Sequence, residues 1–321
     1  MDYAFYPKDR SNQQSMDKIE NDLKALDSNL WVTKSTNLGR FCWIASIEPD
    51  QADDFGRGHK DVLAAWQNLD PKYFVGRTKP ASSNMGLRAV GVPSPPEESK
   101  RLSARDKTLL PRTGKITWDL TMRDDIKYIS QPPGVPIREL PDYYYHDDSL
   151  GNGVVVYVSD SGAALDTSDL NGVNIENEWI FAGPNSATDK KDSNLISYHG
   201  TCSAGRVAGV VTGVAKKATL VINRYTPKTG DGYNEHGIDS LVKIYDHIKS
   251  YHVDKKVVIN MSWGQTFTAT NSGYNDALKE TMSTIIKELV KLGNVVPVAA
   301  AGNEDHVFVY SSPSIMYSLL I

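Results

Sequence analysis

The chain has 321 residues, enough for about two domains, and its 40% hydrophobic and 23% charged residues are ordinary for a globular protein. Its 35 basic and 39 acidic residues give a net charge of −4, which argues against a nucleic-acid-binding or membrane-surface protein. No apolar run approaches the roughly 18 residues of a membrane span. We therefore expect no nucleic-acid partner and no membrane.

The first 75 residues predict a small α+β domain. "YAFYP" is typical of a strand, and apolar residues at spacings of three and four in "QQSMDKIENDLKALDSNL" predict an amphipathic helix. "LWVTKSTN" and "RFCWIASI" predict two strands of a hairpin, "DVLAAW" a second helix and "KYFVG" a last strand. The resulting order, β-α-β-β-α-β, is that of a split βαβ sandwich.

The composition changes after this domain. Residues 76–116 are rich in proline, serine and charge and show no sustained period, which predicts a flexible linker. Residues 117–321 contain four apolar strand candidates alternating with helical patterns. The strands are "GVVVYVSD", "ATLVINRY", "KKVVINMSWG" and "GNVVPVAAAGN". The alternation predicts an α/β fold with a doubly wound parallel sheet.

Chemically useful side chains follow these strands, at the edge where such sheets bind their ligands. Asp160 ends the first strand, and His199 begins the helix "HGTCSAGRVAG". The helix dipole at this end disfavours an imidazolium, which would keep His199 neutral as a base. Asn303 follows the fourth strand, where its amide could donate to an oxyanion. Taken singly, each residue is more often a turn former, a helix cap or a packed side chain.

The third strand leaves the sheet through Ser262, Trp263 and Gly264. A glycine at this point lets a peptide backbone approach and pair as an added strand. The alternative is a tryptophan that only caps the core. A dinucleotide-binding site at Gly151-Asn152-Gly153 is disfavoured, because these glycines precede the strand instead of following it.

Asp, then His, then an amide donor is the chain order of one convergent serine-protease arrangement. The stretches "GNGVVVYVSDSGAALDTSDL", "HGTCSAGRVAG", "GVAKKATL", "VINMSWG" and "VPVAAAGNE" together resemble the subtilisin-like serine protease family. The segment before them, "WDLTMRDDIKYISQPPGV … DYYYHDDSLGNGV", looks like the start of the mature domain in fungal proteinase-K-like members. The resemblance implies peptide or protein substrates and a propeptide in residues 1–75 as an intramolecular partner. It also implies that the protein is a secreted or vacuolar monomer, although "MDYAFYPKDR" shows no signal peptide, so the location stays open.

The same resemblance assigns roles to individual residues. Asp160 would orient the histidine, His199 would be the general base and Asn303 the oxyanion donor. The cleft-lining residues would be Ser262, Trp263, Gly264, Ala300, Ala301 and Gly302.

The chain departs from the family at several points. Ser161 replaces the commoner threonine, and Cys202 replaces a second histidine. The two cysteines, Cys42 and Cys202, predict free thiols. No cofactor is expected. Whether a structural calcium binds stays open, because no acidic loop has a convincing calcium-ligand spacing, and no metal ligand is assigned.

The largest departure concerns the nucleophile. The family's serine lies in a Gly-Thr-Ser segment, and no Gly-Thr-Ser occurs in these 321 residues. We therefore expect a precursor truncated before its nucleophile, inactive as this chain, with apolar sheet faces left exposed. The alternative is a pseudoenzyme or a propeptide-like protease inhibitor.

Overall fold

The computed structural model describes residues 1–67, 115–120, 123–131, 134–183, 188–193, 197–226, 234–266, 272–300 and 311–312. By its contacts the chain divides into two compact units. One unit joins residues 1–76 to residues 150–321, and the other comprises residues 77–149. The predicted linker, residues 76–116, lies almost entirely outside the described residues.

The N-terminal elements form a four-stranded antiparallel sheet with two helices. They are β1 (Asp2–Pro7), α1 (Gln13–Leu26), β2 (Trp31–Ser35), β3 (Gly39–Ser46), α2 (Pro49–Gly58) and β4 (Val62–Gln67). The strand order is β2-β3-β1-β4. The predicted order of elements is confirmed. Met16, Ile19 and Leu23 make the buried face of α1, as their spacing predicts. Leu26 continues the same predicted spacing but is 39% exposed, so the pattern does not hold at the last residue of the helix.

The second helix of this region was placed wrongly. "DVLAAW" forms β4, which pairs antiparallel with β1, and the helix is the preceding segment α2. Helix α2 starts at Pro49, in its first turn, and at a capping box between Glu48 and Gln51. The helix therefore forms before "DVLAAW", although the two alanines of that segment favour a helix there. The predicted strand "KYFVG" lies outside the described residues.

The second unit contains a short antiparallel pair. Strand β5 (Ile116–Leu120) pairs with β6 (Tyr143–Asp147), and the short helix α3 (Asp124–Lys127) lies between them in the chain. Trp118 and Tyr143 make an edge-to-face contact in this pair, with ring centroids 4.7 Å apart.

The parallel sheet is the centre of the first unit. Its elements are β7 (Val154–Asp160), β8 (Ile180–Phe181), α4 (His199–Ala208), β9 (Thr219–Arg224), α5 (Asn234–Tyr251), β10 (Lys256–Met261), α6 (Ser272–Lys291) and β12 (Val295–Ala299). The strand order is β12-β10-β7-β9-β8, with every pair parallel. A two-residue strand β11 (Gln265–Thr266) pairs with β13 (Ser311–Ser312) outside this sheet. All four predicted strands are present, and the helices α4, α5 and α6 alternate with them as expected.

Helices cover both faces of the parallel sheet, so the predicted doubly wound α/β fold is confirmed. Ala204 and Ala208 of α4 pack with Val156, Val158 and Leu220 on one face. The other face packs against α5 and α6 in the largest apolar cluster. Side chains of the N-terminal sheet, including Tyr6 and Phe41, join that cluster, so α5 and α6 lie between the two sheets.

Polar contacts accompany this packing at two places on α5. Near its start, buried Glu235 accepts hydrogen bonds through Oε1 from Tyr6 of β1 (2.9 Å) and Tyr274 of α6 (3.0 Å). Further along, Asp246 accepts bonds from Ser35 Oγ (2.6 Å), the Thr36 amide (2.9 Å) and Asn37 Nδ2 (2.8 Å) of the β2–β3 turn. The N-terminal sheet is therefore held on α5 by apolar packing and by two carboxylates.

Some apolar side chains on the α4 side of the sheet are exposed. Val296 and Val298 of β12 are 54% and 41% exposed. Both cysteines are free, with Cys42 buried and Cys202 exposed. Among the helices that the structure describes, none is both long and apolar enough to cross a membrane.

Candidate active site

Asp160 and His199 meet at the carboxyl end of the central strand. Asp160 is the last residue of β7 and His199 the first of α4. His199 Nδ1 lies 2.8 Å from Asp160 Oδ1. The carboxylate is 4% exposed and the imidazole 36% exposed, so the acid is enclosed while the base is open to the surface. Since β9 and β10 flank β7 on opposite sides, this is also the point where the strand order reverses.

The close approach of α4 to the end of β7 depends on two glycines. A Cβ added to Gly200 would overlap the carbonyl oxygen of Gly162, because the two atoms would be closer together than a Cβ and a backbone atom ever come in real proteins. Gly162 itself has a φ of +109°, a conformation that residues with a side chain rarely adopt. Gly200 and Gly162 therefore allow the start of α4 to pack closely against the end of β7.

A second aspartate secures the start of α4. The N-cap residue, Tyr198, is left-handed and provides no side-chain cap. Instead the buried Asp192 accepts the Thr201 amide (2.9 Å) and hydroxyl (2.6 Å) through Oδ2, and the Ser161 hydroxyl (2.7 Å) through Oδ1. These bonds satisfy a free N–H of the first helical turn and tie it to the loop after Asp160.

The pKa of His199 is shifted in the direction opposite to the one that the helix dipole predicts. The hydrogen bond to Asp160 raises the pKa of His199; burial opposes this effect, and the charges of Asp160 and Asp192 add to it. The dipole therefore does not decide the charge of this imidazole, because an adjacent carboxylate outweighs partial charges at the helix end. In the neutral ring, the bond to Asp160 places the proton on Nδ1 and leaves Nε2 as the basic atom.

Two residues around this pair were missed by the sequence reasoning as contributors to the site. Ser203 Oγ donates to Asp160 Oδ2 at 2.9 Å, and Asp192 supports the helix start. The four-residue spacing of His199 and Ser203 places both on one face of α4, so the sequence alone could have predicted Ser203 near the site. Asp192 had none, because nothing in its surroundings marks it as a partner of Thr201.

The predicted cleft residues are only partly within the described ranges. Ser262, Trp263 and Gly264 follow β10 directly, and the Ala300 amide donates to the Met261 carbonyl at 3.1 Å. The indole of Trp263 is buried and donates to Ser159 Oγ at 3.1 Å, so this side chain packs in the core. Ala301, Gly302 and Asn303 lie outside the described residues. The cleft roles of all six stay predictions.

A cavity of about 540 Å³ opens beside His199. It runs between α4 and the strands β7, β10 and β12, and its lining includes His199, Ser203, Ser262 and Val298. The predicted base and the first residue of the predicted cleft strand therefore face one shared space. Most of the remaining lining is aliphatic.

Among the described residues, no group of three or more His, Cys, Asp or Glu side chains is arranged to hold a metal ion.

Comparison with known proteins decides the family. The model of the Subtilase family (Peptidase_S8) matches residues 151–318, just over half of the chain. This chain belongs to the subtilase family. The matched segment of the subtilase contains Asp160, His199 and the predicted cleft strands.

Curated relatives are fungal subtilases. A subtilisin-like protease of Coccidioides posadasii (strain C735) is 32% identical over 171 residues, which are 53% of this chain and 38% of the relative. Subtilisin-like protease 2 of Pseudogymnoascus destructans is 33% identical over 151 residues, 47% of this chain and 34% of that protein. The chain thus spans little more than a third of the length of these relatives.

A solved structure is similar over a comparable share of the chain. A cold-adapted subtilisin-like serine proteinase is 27% identical, with a TM-score of 0.43, covering 56% of this chain and 57% of that one.

Proposed function

We propose that this chain belongs to a subtilisin-like serine endopeptidase precursor that acts on peptide or protein substrates. The observation that carries the proposal is the 2.8 Å contact between His199 Nδ1 and Asp160 Oδ1 at the carboxyl end of the sheet. Membership of the subtilase family supports the same reaction class.

In this reaction His199 is the general base. Its Nε2 takes the proton of a serine hydroxyl as that oxygen attacks the peptide carbonyl, and the resulting imidazolium is stabilised by Asp160. The raised pKa of His199, caused first by its hydrogen bond to Asp160, is the equilibrium expression of that stabilisation. Asn303 is proposed as the oxyanion donor, and residues 262–264 and 300–302 as the strands that bind the substrate backbone.

The attacking serine has no counterpart in the present sequence. No Gly-Thr-Ser segment occurs in the 321 residues. We propose that this chain alone does not hydrolyse peptides. Removing the serine nucleophile from a subtilisin lowers the catalytic rate by a factor of about 10⁶, so any residual activity would be very low.

The N-terminal sheet is proposed as the propeptide, an intramolecular partner of the peptidase domain. Its packing on α5 and α6, with the Tyr6–Glu235 bond and the three bonds to Asp246, supports that assignment. The proposed domains are residues 1–75 and 117–321, joined by a linker over residues 76–116.

The test is a chimera labelled with a fluorophosphonate probe. The segment of the Coccidioides posadasii protease that follows its matched region is fused after residue 318, and the original chain is the control. We expect labelling of the chimera, strong loss of labelling in its His199→Ala variant, and none of the original chain. Labelling of the original chain that His199→Ala abolishes would refute the proposed inactivity. A folded chimera labelled equally with and without His199 would refute the base role.

A second candidate function is protease inhibition by the N-terminal domain, favoured by its extensive contact with α5 and α6. Here the peptidase half would be a pseudoenzyme. Purified residues 1–75 would then slow fluorophosphonate labelling of the Coccidioides posadasii protease. Equal labelling rates with and without the fragment would exclude this function against that enzyme.

A further inference from the structure

Helix α4 holds both oxygens of the Asp160 carboxylate. His199 Nδ1 is 2.8 Å from Oδ1, and Ser203 Oγ donates to Oδ2 at 2.9 Å. His199 and Ser203 are four residues apart, one turn of helix, so their side chains project from the same face. The Ser161 amide adds a bond to Oδ1 at 2.7 Å. Among the residues that the structure describes, Oδ1 therefore has two partners, and the hydrogen bond of Oδ2 comes from Ser203.

Because Asp160 is buried, loss of the hydrogen bond from Ser203 to Oδ2 would be costly. The carboxylate is 4% exposed, so bulk water cannot readily replace a donor that Oδ2 loses. A buried carboxylate oxygen without a donor carries a desolvation penalty larger than that of a neutral group, and the carboxylate would turn to find another partner. Such a turn moves Oδ1 away from His199, because both oxygens rotate about the same bond.

The serine hydroxyl had a local alternative. Serine within a helix commonly bonds to the carbonyl oxygen four residues earlier, which for Ser203 is that of His199 itself. The hydroxyl instead donates to Asp160, 43 residues away in the chain. Ser203 is half-buried and lines the cavity beside His199.

We propose that Ser203 is a positioning residue that fixes the Asp160 carboxylate in the orientation that His199 requires. It acts through Asp160 and is not itself expected to touch the reacting atoms. Its catalytic meaning rests on the proposed function, whereas its effect on the Asp160–His199 contact does not.

The test is an NMR titration of His199 in the full chain, labelled with ¹³C and ¹⁵N in histidine and assigned with His199→Gln. In Ser203→Ala we expect the pKa of His199 to fall by about half a unit or more, because the loosened carboxylate supports the imidazolium less. The Nδ1–H signal should also broaden, since its acceptor is no longer fixed. Ser203→Thr keeps the hydroxyl and can place its methyl towards the cavity, so it should restore the wild-type titration.

Two further variants keep the result interpretable. Cys202→Ala changes the exposed neighbour on the same helix and should leave the titration unchanged. Ser203→Cys retains a weak donor, so an intermediate pKa is expected, and this variant serves if Ser203→Ala does not fold. An unchanged pKa in folded Ser203→Ala, or in Ser203→Cys where Ser203→Ala does not fold, would overturn the proposal. A rise would also overturn it, because the carboxylate would then have kept its position after losing a competing donor.

The same experiment separates this inference from the proposed function. If the chimera is folded but unlabelled while Ser203→Ala shifts the titration, the peptidase proposal fails and the positioning role stands. If the chimera is active and the titration is unmoved, the positioning role fails alone. In an active chimera, Ser203→Ala should lower kcat while leaving KM nearly unchanged, as expected when only the catalytic base is disturbed.

Discussion

Glu235 should make the stability of this chain depend on pH. The carboxyl is fully buried between α5, α6 and the N-terminal sheet. Its Oε1 accepts from two tyrosine hydroxyls, and its Oε2 has no hydrogen-bond partner among the described residues. Burial raises the pKa of Glu235 above the ordinary 4.5, and the tyrosine bonds oppose the shift without cancelling it. The folded state therefore favours the protonated acid.

Proton linkage gives the direction in which the stability of the folded state changes with pH. Below pH 4.5 both the folded and the unfolded chain hold this proton, so the contribution of Glu235 to stability is complete. As the pH rises above 4.5, the unfolded chain releases the proton first and the folded state loses stability until its own, raised pKa is passed. For one group, the slope cannot exceed about 1.4 kcal/mol per pH unit. Glu235→Gln resembles the protonated acid and should remove this slope.

Urea unfolding from about pH 5 to about pH 8 measures the effect. The difference in unfolding free energy between Glu235→Gln and the wild type should grow with pH in favour of the variant. Burial also raises the pKa of Asp239 on the same helix, but this group is present in both proteins and cancels in the difference. Glu280→Gln, an exposed change on α6, is the matched control and should give a flat difference. A flat difference for Glu235→Gln would refute the reasoning.

Two further predictions concern the site and the N-terminal sheet. Gly200→Ala should lower the free energy of unfolding by about 1–3 kcal/mol, because the added methyl group would overlap the Gly162 carbonyl. The midpoint of urea unfolding measures this loss of stability. An unchanged midpoint would contradict the close packing of α4 against the end of β7. Asp246→Ala removes the acceptor of three hydrogen bonds from the β2–β3 turn and should speed limited proteolysis of the N-terminal sheet. Lys249→Ala, exposed on the same helix, should not.

The sequence predicted those elements whose apolar pattern matches their environment. The run Val154–Val158 is apolar throughout, as expected for a strand covered on both faces, and Met16, Ile19 and Leu23 repeat at helical spacing. The pattern failed at "DVLAAW", because alanine is common in helices and the pairing of β4 with β1 is a long-range effect. Helix α2 was missed although Glu48, Pro49 and Gln51 form a recognisable start signal.

The candidate site was predictable only in part, for a related reason. Asp160 and His199 follow from strand ends and helix starts, whose positions an α/β fold fixes. The raised pKa of His199 did not follow, because it depends on a carboxylate brought to 2.8 Å by the fold. Partners such as Asp192 for Thr201, or Tyr6 for Glu235, are separated by segments whose path no local pattern describes.

Helix α5 shows how the N-terminal sheet and the peptidase half share polar groups. Residues 235–242 of α5 are all buried, although a helix buried on every side is usually apolar throughout. Asp239 is satisfied within the peptidase half, by Lys243 and the Gly183 amide. Glu235 and Asp246 instead accept from Tyr6 and from the β2–β3 turn of the N-terminal sheet. Two of the three carboxylates of α5 therefore receive hydrogen bonds from the N-terminal sheet, so the polar groups of this buried helix are satisfied from both sides.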